Sequence, residues 1–152
     1  MTFKMRSALA GAGSAALLLG AWGSQYIGGL APCHLCLVQR WPHAIAVLIA
    51  LAAVATGQRF LALLGALAAL ATAIVGIYHT GVERDIFEGP TTCTSGSAGA
   101  LTPDQMFDQI MNAPLIRCDE VAFEFLSLSM ASWNALLSLC LVGVWLWAWR
   151  RG

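Results

Sequence analysis

The stretch LVQRWPHAIAVLIALAAVATGQRFLALLGALAALATAIVGIY, Leu37 to Tyr78, consists of two long apolar runs joined by Gly57-Gln58-Arg59. A bilayer core of about 30 Å needs roughly 20 consecutive apolar helical residues, so each run is long enough to cross one. So short a connection forces the two helices to lie side by side and antiparallel. Two further apolar runs flank this hairpin, near Ser7 to Ile27 and Phe125 to Trp149. The expected fold is therefore an all-α membrane protein, a four-helix transmembrane bundle forming a single domain over residues 1–152. Its spans should lie at about 7–27, 37–56, 60–78 and 125–149, with loops at about 28–36 and 79–124 on one side.

Composition agrees. The chain is 59% hydrophobic and 11% charged, against roughly 45–50% and about 25% in soluble domains. A formal net charge of zero gives no reason to expect a nucleic-acid partner. With four spans, both termini and the short turn share a side that holds Lys4, Arg6, Arg59, Arg150 and Arg151 and no acid. All eight acids, from Glu83 to Glu124, fall in the long opposite connection. Lys and Arg mark the cytoplasmic side, so both termini are expected there. Lys4 and Arg6 before an apolar run also suit a cleaved signal peptide, but no A-x-A site follows, and its removal would invert the charge asymmetry.

Trp41, Trp145, Trp147 and Trp149 stand at span ends and read as an interfacial belt. Gly65, Ala69, Ala73 and Gly76 form a stripe that lets helix backbones approach. In the long loop, Thr102 and Pro103 read as the start of a short helix with Met106, Phe107, Ile110 and Met111 on its apolar face and Pro114 closing it.

Four of the five cysteines, Cys33, Cys36, Cys93 and Cys118, fall on the non-cytoplasmic side, where disulfides persist. Cys33-His34-Leu35-Cys36 is a C-x-x-C at the mouth of the second span, a spacing that suits an exchangeable pair. Arg40 is one turn beyond Cys36, on the same face, and a charged side chain inside a span is a functional suspect; the alternative is an Arg that snorkels to the interface. Cys93 and Cys118 close a longer loop containing Gly and Ser, suited to a mobile arm or to a staple. Two disulfides, Cys33–Cys36 and Cys93–Cys118, are expected, with Cys140 a free, buried apolar filler. Zinc held by the four thiols is disfavoured by the 24 residues between Cys93 and Cys118, and no metal is expected. Leu37 stands where covalent haem attachment would need a histidine.

Pro32-Cys33-His34-Leu35-Cys36-Leu37-Val38-Gln39-Arg40, then Tyr78-His79-Thr80, a lone Cys93, Arg117-Cys118-Asp119-Glu120, Phe125-Leu126-Ser127-Leu128-Ser129 and Trp133-Asn134 together resemble the disulfide bond formation protein B (DsbB) family. The resemblance covers nearly the whole chain, although the stretch between Cys93 and Cys118 is Gly/Ser-rich and the loop before Pro32 compact. It implies a quinone reductase of the bacterial inner membrane that reoxidises a periplasmic DsbA-like thioredoxin-fold disulfide donor. Ubiquinone or menaquinone would be the electron acceptor. Cys93 would be attacked by the partner and Cys118 would complete that pair, to be reoxidised by Cys33 and Cys36. Cys36 would be the thiolate in contact with the quinone, Arg40 would hold the quinone, and His79 would sit near its head group. A vitamin K epoxide reductase-like enzyme would use similar parts, though with its C-x-x-C in a late span. A non-enzymatic membrane subunit with structural disulfides is the third possibility.

Overall fold

The computed structural model describes residues 1–90 and 117–151. Cys93 and the expected loop helix from Thr102 to Pro114 lie outside them. Four helices form the bundle: α1 (Phe3–Tyr26), α2 (His34–Thr56), α3 (Phe60–Glu83) and α4 (Met130–Arg150). Two short strands, β1 (Glu124–Phe125) and β2 (Leu128–Ser129), precede α4. Each start has a local cause. The Thr2 hydroxyl accepts the Met5 amide at the head of α1, Cys33 Sγ accepts that of Cys36 at α2, and Ser129 Oγ that of Ser132 at α4. Gly57 ends α2 in the left-handed region, at φ 73°, where glycine has no Cβ to clash.

Helices pack in chain order, α1 on α2, α2 on α3 and α3 on α4, with α4 closing back on α1. The interior is made of small residues. Ala10, Ala50, Ala62, Ala66, Ala69 and Ala148 are buried together, while Leu19, Leu48, Leu51, Leu67 and Ile74 are exposed. Large apolar groups outside and small ones within is the arrangement expected of a bundle whose solvent is lipid, where close backbone approach drives association. α2, α3 and α4 are each long and apolar enough to cross a membrane, compatible with a multi-pass membrane protein. α1 matches them in length but carries Lys4 and Arg6 with several Gly and Ser, so three helices meet the criterion where four spans were expected.

Three expectations need correction. Trp145 is not part of an interfacial belt: it is fully buried, its ring filling the space at Gly65, where a Cβ would lie 2.5 Å from Cε2. Trp41, Trp147 and Trp149 are exposed. Cys140 is exposed rather than buried, because Ala131, Ala135, Ser138 and Trp145 give α4 its inward face. Residues 124–129 form a hairpin rather than the first turn of the last helix. Phe125 pairs with Leu128 across Leu126 and Ser127, both with positive φ (53° and 61°), the signature of a type I′ turn.

At one end of the bundle the Lys4 side chain lies beside Gly57, and the Arg6 guanidinium sits 4.6 Å over the Trp147 ring. The chain start, the short turn and the end of α4 therefore meet at one end. The α1–α2 connection and the β-hairpin are at the other, with the C-x-x-C.

Candidate functional site

Cys33 caps α2 and Cys36 sits in its first turn. Their sulfurs lie 2.9 Å apart as free thiols, the reduced form of the pair in place of the expected disulfide. Three groups converge on Cys33 Sγ: the Cys36 sulfur, the Cys36 amide, which donates to it at 3.3 Å, and His79 Nε2 at 3.5 Å. The Cys36 hydrogen bond, above all, holds the Cys33 thiol well below its ordinary range; burial opposes this and His79 reinforces it. The amide end of α2 acts in the same direction. The negative charge expected on Cys36 is thus better accommodated on Cys33.

His79 is buried, and its Nε2 also lies 3.8 Å from Glu83 Oε1. Glu83 in turn accepts a hydrogen bond from Ser129. The sequence placed Glu83 in a loop, but α3 continues past Tyr78 and sets Glu83 one turn beyond His79. The i,i+4 spacing of the two was the available signal. On this side of the pair, Cys33, Leu35, Val82 and the almost fully buried Cys118 pack into one cluster. Cys118 is disulfide-bonded; Cys93, its expected partner, lies outside the described residues. The donor atoms of Cys33, Cys36 and His79 lie within 4.8 Å of one another, a set able to hold a thiophilic ion, although no metal was expected.

Cys36, which also packs against this cluster, is open on a second side. It lines a cavity of about 410 Å³ between α1, α2, α4 and the hairpin, together with Gln39, Arg40 and His43 on the same face of α2 and Asn134 on α4. The walls are otherwise almost wholly apolar, with Leu17, Leu30, Phe123 and Phe125 among them. Gln39 Nε2, Arg40 Nε and His43 Nδ1 are buried without a hydrogen-bond partner. An apolar cavity with buried, unpaired nitrogens among its lining residues suits an apolar molecule carrying oxygen acceptors.

Arg40 lines this cavity, with its fork turned to α1. Nη1 donates to Gln25 Oε1 at 2.6 Å and Nη2 to the Ala21 carbonyl at 3.3 Å. His79 is not among the cavity-lining residues, being turned to Cys33. Gln25, His43 and Glu83 were not singled out from sequence, and Gln39 and Asn134 only as part of the resemblance.

No solved structure matches the chain. It is 29% identical over 145 residues to a disulfide bond formation protein B of Hahella chejuensis, covering 90% of this chain and 87% of that one. An uncharacterized protein of Rickettsia prowazekii is 29% identical over 126 residues, 80% of this chain and 73% of its own. The family model for disulfide bond formation protein DsbB matches residues 4–148. With paired cysteines at a helix mouth and a match that leaves out only a few terminal residues, the chain belongs to the DsbB family of membrane disulfide oxidoreductases.

Proposed function

We propose that the chain is a protein-disulfide:quinone oxidoreductase of the bacterial inner membrane, crossing it four times with both termini in the cytoplasm. It reoxidises a periplasmic DsbA-like thioredoxin-fold protein and passes the electrons to ubiquinone or menaquinone. One observation carries this: both cysteines of a single C-x-x-C pack against the Cys118 cluster, and Cys36 alone of the two also lines an apolar cavity, together with Arg40.

The partner's thiolate attacks Cys93 and Cys118 leaves; the partner's second thiol then attacks the mixed disulfide, which releases the oxidised partner and leaves Cys93 and Cys118 both reduced. The reduced loop pair then exchanges with the Cys33–Cys36 disulfide, so the loop disulfide reforms and the C-x-x-C becomes a dithiol. A quinone in the cavity supplies the two-electron sink. Cys36 is the sulfur that can touch such an acceptor. Cys33, the more readily ionised of the two, is the nucleophile that closes the disulfide onto Cys36. Gln39 and Arg40 offer N–H groups along the cavity wall, and Gln25 fixes the guanidinium. His79 serves Cys33 rather than the acceptor.

Purified protein, incubated with an excess of a reduced thioredoxin-fold partner and a short-chain benzoquinone under anaerobic conditions, should oxidise many equivalents. Without the quinone it should stop at the equivalents stored in its own disulfides. Equal turnover with and without quinone would overturn the assignment.

A further inference from the structure

Among the described residues lining the cavity, no carboxylate is present, and only Cys36 and His43 carry a group able to give up a proton, since the Arg40 guanidinium stays charged. His43 is buried on α2, three residues beyond Arg40 and so about 4.5 Å further along the helix axis. A chain of hydrogen bonds fixes the role of each of its ring nitrogens. Gln39 O has no hydrogen, so the Thr72 hydroxyl donates to it, at 3.3 Å. Thr72 Oγ1 therefore accepts from Asn134 Nδ2, at 3.2 Å. Asn134 is left with Oδ1 facing His43 Nε2 at 2.9 Å, and Nε2 must carry a hydrogen. Ser138 Oγ, 3.5 Å from the same nitrogen, adds a weaker contact on that side.

Nε2 is thus committed to Asn134, and Nδ1, buried and without a partner, is the only ring atom left to exchange a proton. Neutral, it accepts from a hydroxyl; protonated, it donates to a carbonyl. Those are the two oxygen functions of a quinol and a quinone.

We propose that His43 is a catalytic residue of the quinone site, transferring a proton at Nδ1 to a quinone oxygen while Asn134 and Thr72 hold the ring by Nε2. The proposal rests on the quinone reductase function above. Closing the Cys33–Cys36 disulfide breaks two S–H bonds, forms one S–S bond and releases two electrons and two protons. Both electrons and two protons leave with the acceptor as a hydroquinone. One of those protons comes from His43 Nδ1, and the thiol protons released to water restore it.

The test uses full-length protein with decyl-benzoquinone. His43→Gln places an amide N–H near the position of Nε2, so the link to Asn134 can persist while Nδ1 is lost. Loss of general acid catalysis is expected to lower kcat by about 10²-fold or more, with quinone binding by equilibrium dialysis little changed. In the wild type, ¹⁵N-histidine NMR should find Nε2 protonated with and without quinone, and only the Nδ1 resonance should move on binding. Asn134→Leu, which leaves Nδ1 in place but frees the ring, should lose less activity and mix the tautomers. A wild-type kcat in His43→Gln, or a neutral His43 protonated at Nδ1, overturns the proposal while leaving the quinone reaction standing. If the wild type neither binds nor reduces the quinone, both fall together.

Discussion

Cys33 and Cys36 are three residues apart at the head of one helix and both pack against the Cys118 cluster, yet only Cys36 also lines the apolar cavity. Cys33 is enclosed by Leu35, Val82, Cys118 and His79, with hydrogen-bond donors pointing at its sulfur. Cys36 opens on an apolar cavity whose buried nitrogens have no partner within the protein. One neighbourhood is suited to stabilising a charge, the other to receiving a ligand. A helix start separates them because residues i and i+3 are close in space without sharing every neighbour. A single dithiol can thus take electrons on one side and release them on the other.

The largest effect should come from removing one sulfur at a time. Cys36→Ser should lose quinone-linked oxidation altogether yet still allow Cys33 to be trapped in a mixed disulfide with Cys118, detectable by non-reducing peptide mapping. Cys33→Ser should lose both. If the two variants trapped Cys118 equally, the division between the sides would be wrong.

Arg40→Met should raise the KM for quinone about tenfold, equivalent to about 1.4 kcal/mol. Arg40→Lys should fall between Met and wild type. A lysine keeps the charge but cannot fork to Gln25 Oε1 and the Ala21 carbonyl while leaving a further N–H for the cavity. Steady-state kinetics across quinone concentrations decides this, and a wild-type KM in Arg40→Met would remove Arg40 from the cavity's function.

His79→Ala should act on the other side only. In the reduced protein it should move the midpoint of Cys33 alkylation to higher pH, since a donor that favours the thiolate is lost, with the KM for quinone unchanged. The linked stability has a definite sign. A thiol depressed on folding stabilises the reduced fold fully above the unfolded thiol pKa of about 8.5, and this is lost as pH falls through the depressed value. His79→Ala should therefore flatten the rise in stability with pH, as seen in denaturant titrations from acid to alkaline pH.

The smallest effect concerns the hairpin beside the cavity. Ser127 holds φ at 61°, a conformation costing an L-residue roughly 1–2 kcal/mol. Ser127→Gly should raise the thermal midpoint by a few degrees and leave both chemistries untouched. A lower midpoint would mean that the Ser127 side chain contributes more than its backbone costs.

How much of this could be read from the sequence varies with the physics behind each feature. Leu37 to Tyr78 declared its hairpin because membrane spans are set by length and apolarity alone. The C-x-x-C at a helix start was equally plain, since capping is local. Helix rotation was not legible. In lipid a large apolar residue faces out as readily as in, so nothing in the residue types told Trp145, inside, from Trp149, outside, or fixed the side on which Cys140 lies. The directions of Arg40 and His79 depend on partners distant in sequence, Gln25 and Cys33, that no periodicity reveals. His43 stands in no motif, and its link through Asn134 to Thr72 joins residues on three helices that only the fold brings together.

The alanine-lined interior has a consequence for how such a chain can drift. Enlarging Gly65 runs into Trp145, and enlarging Gly76 into the Ala135 backbone at 3.2 Å. The outer positions, Leu48, Leu67 and Ile74 among them, ask only to be greasy. Replacements should therefore accumulate on the lipid face nearly without cost. Two proteins can then share a bundle and its chemistry while agreeing at 29% of aligned positions, and the agreement should be concentrated at the few small and polar residues of the interior.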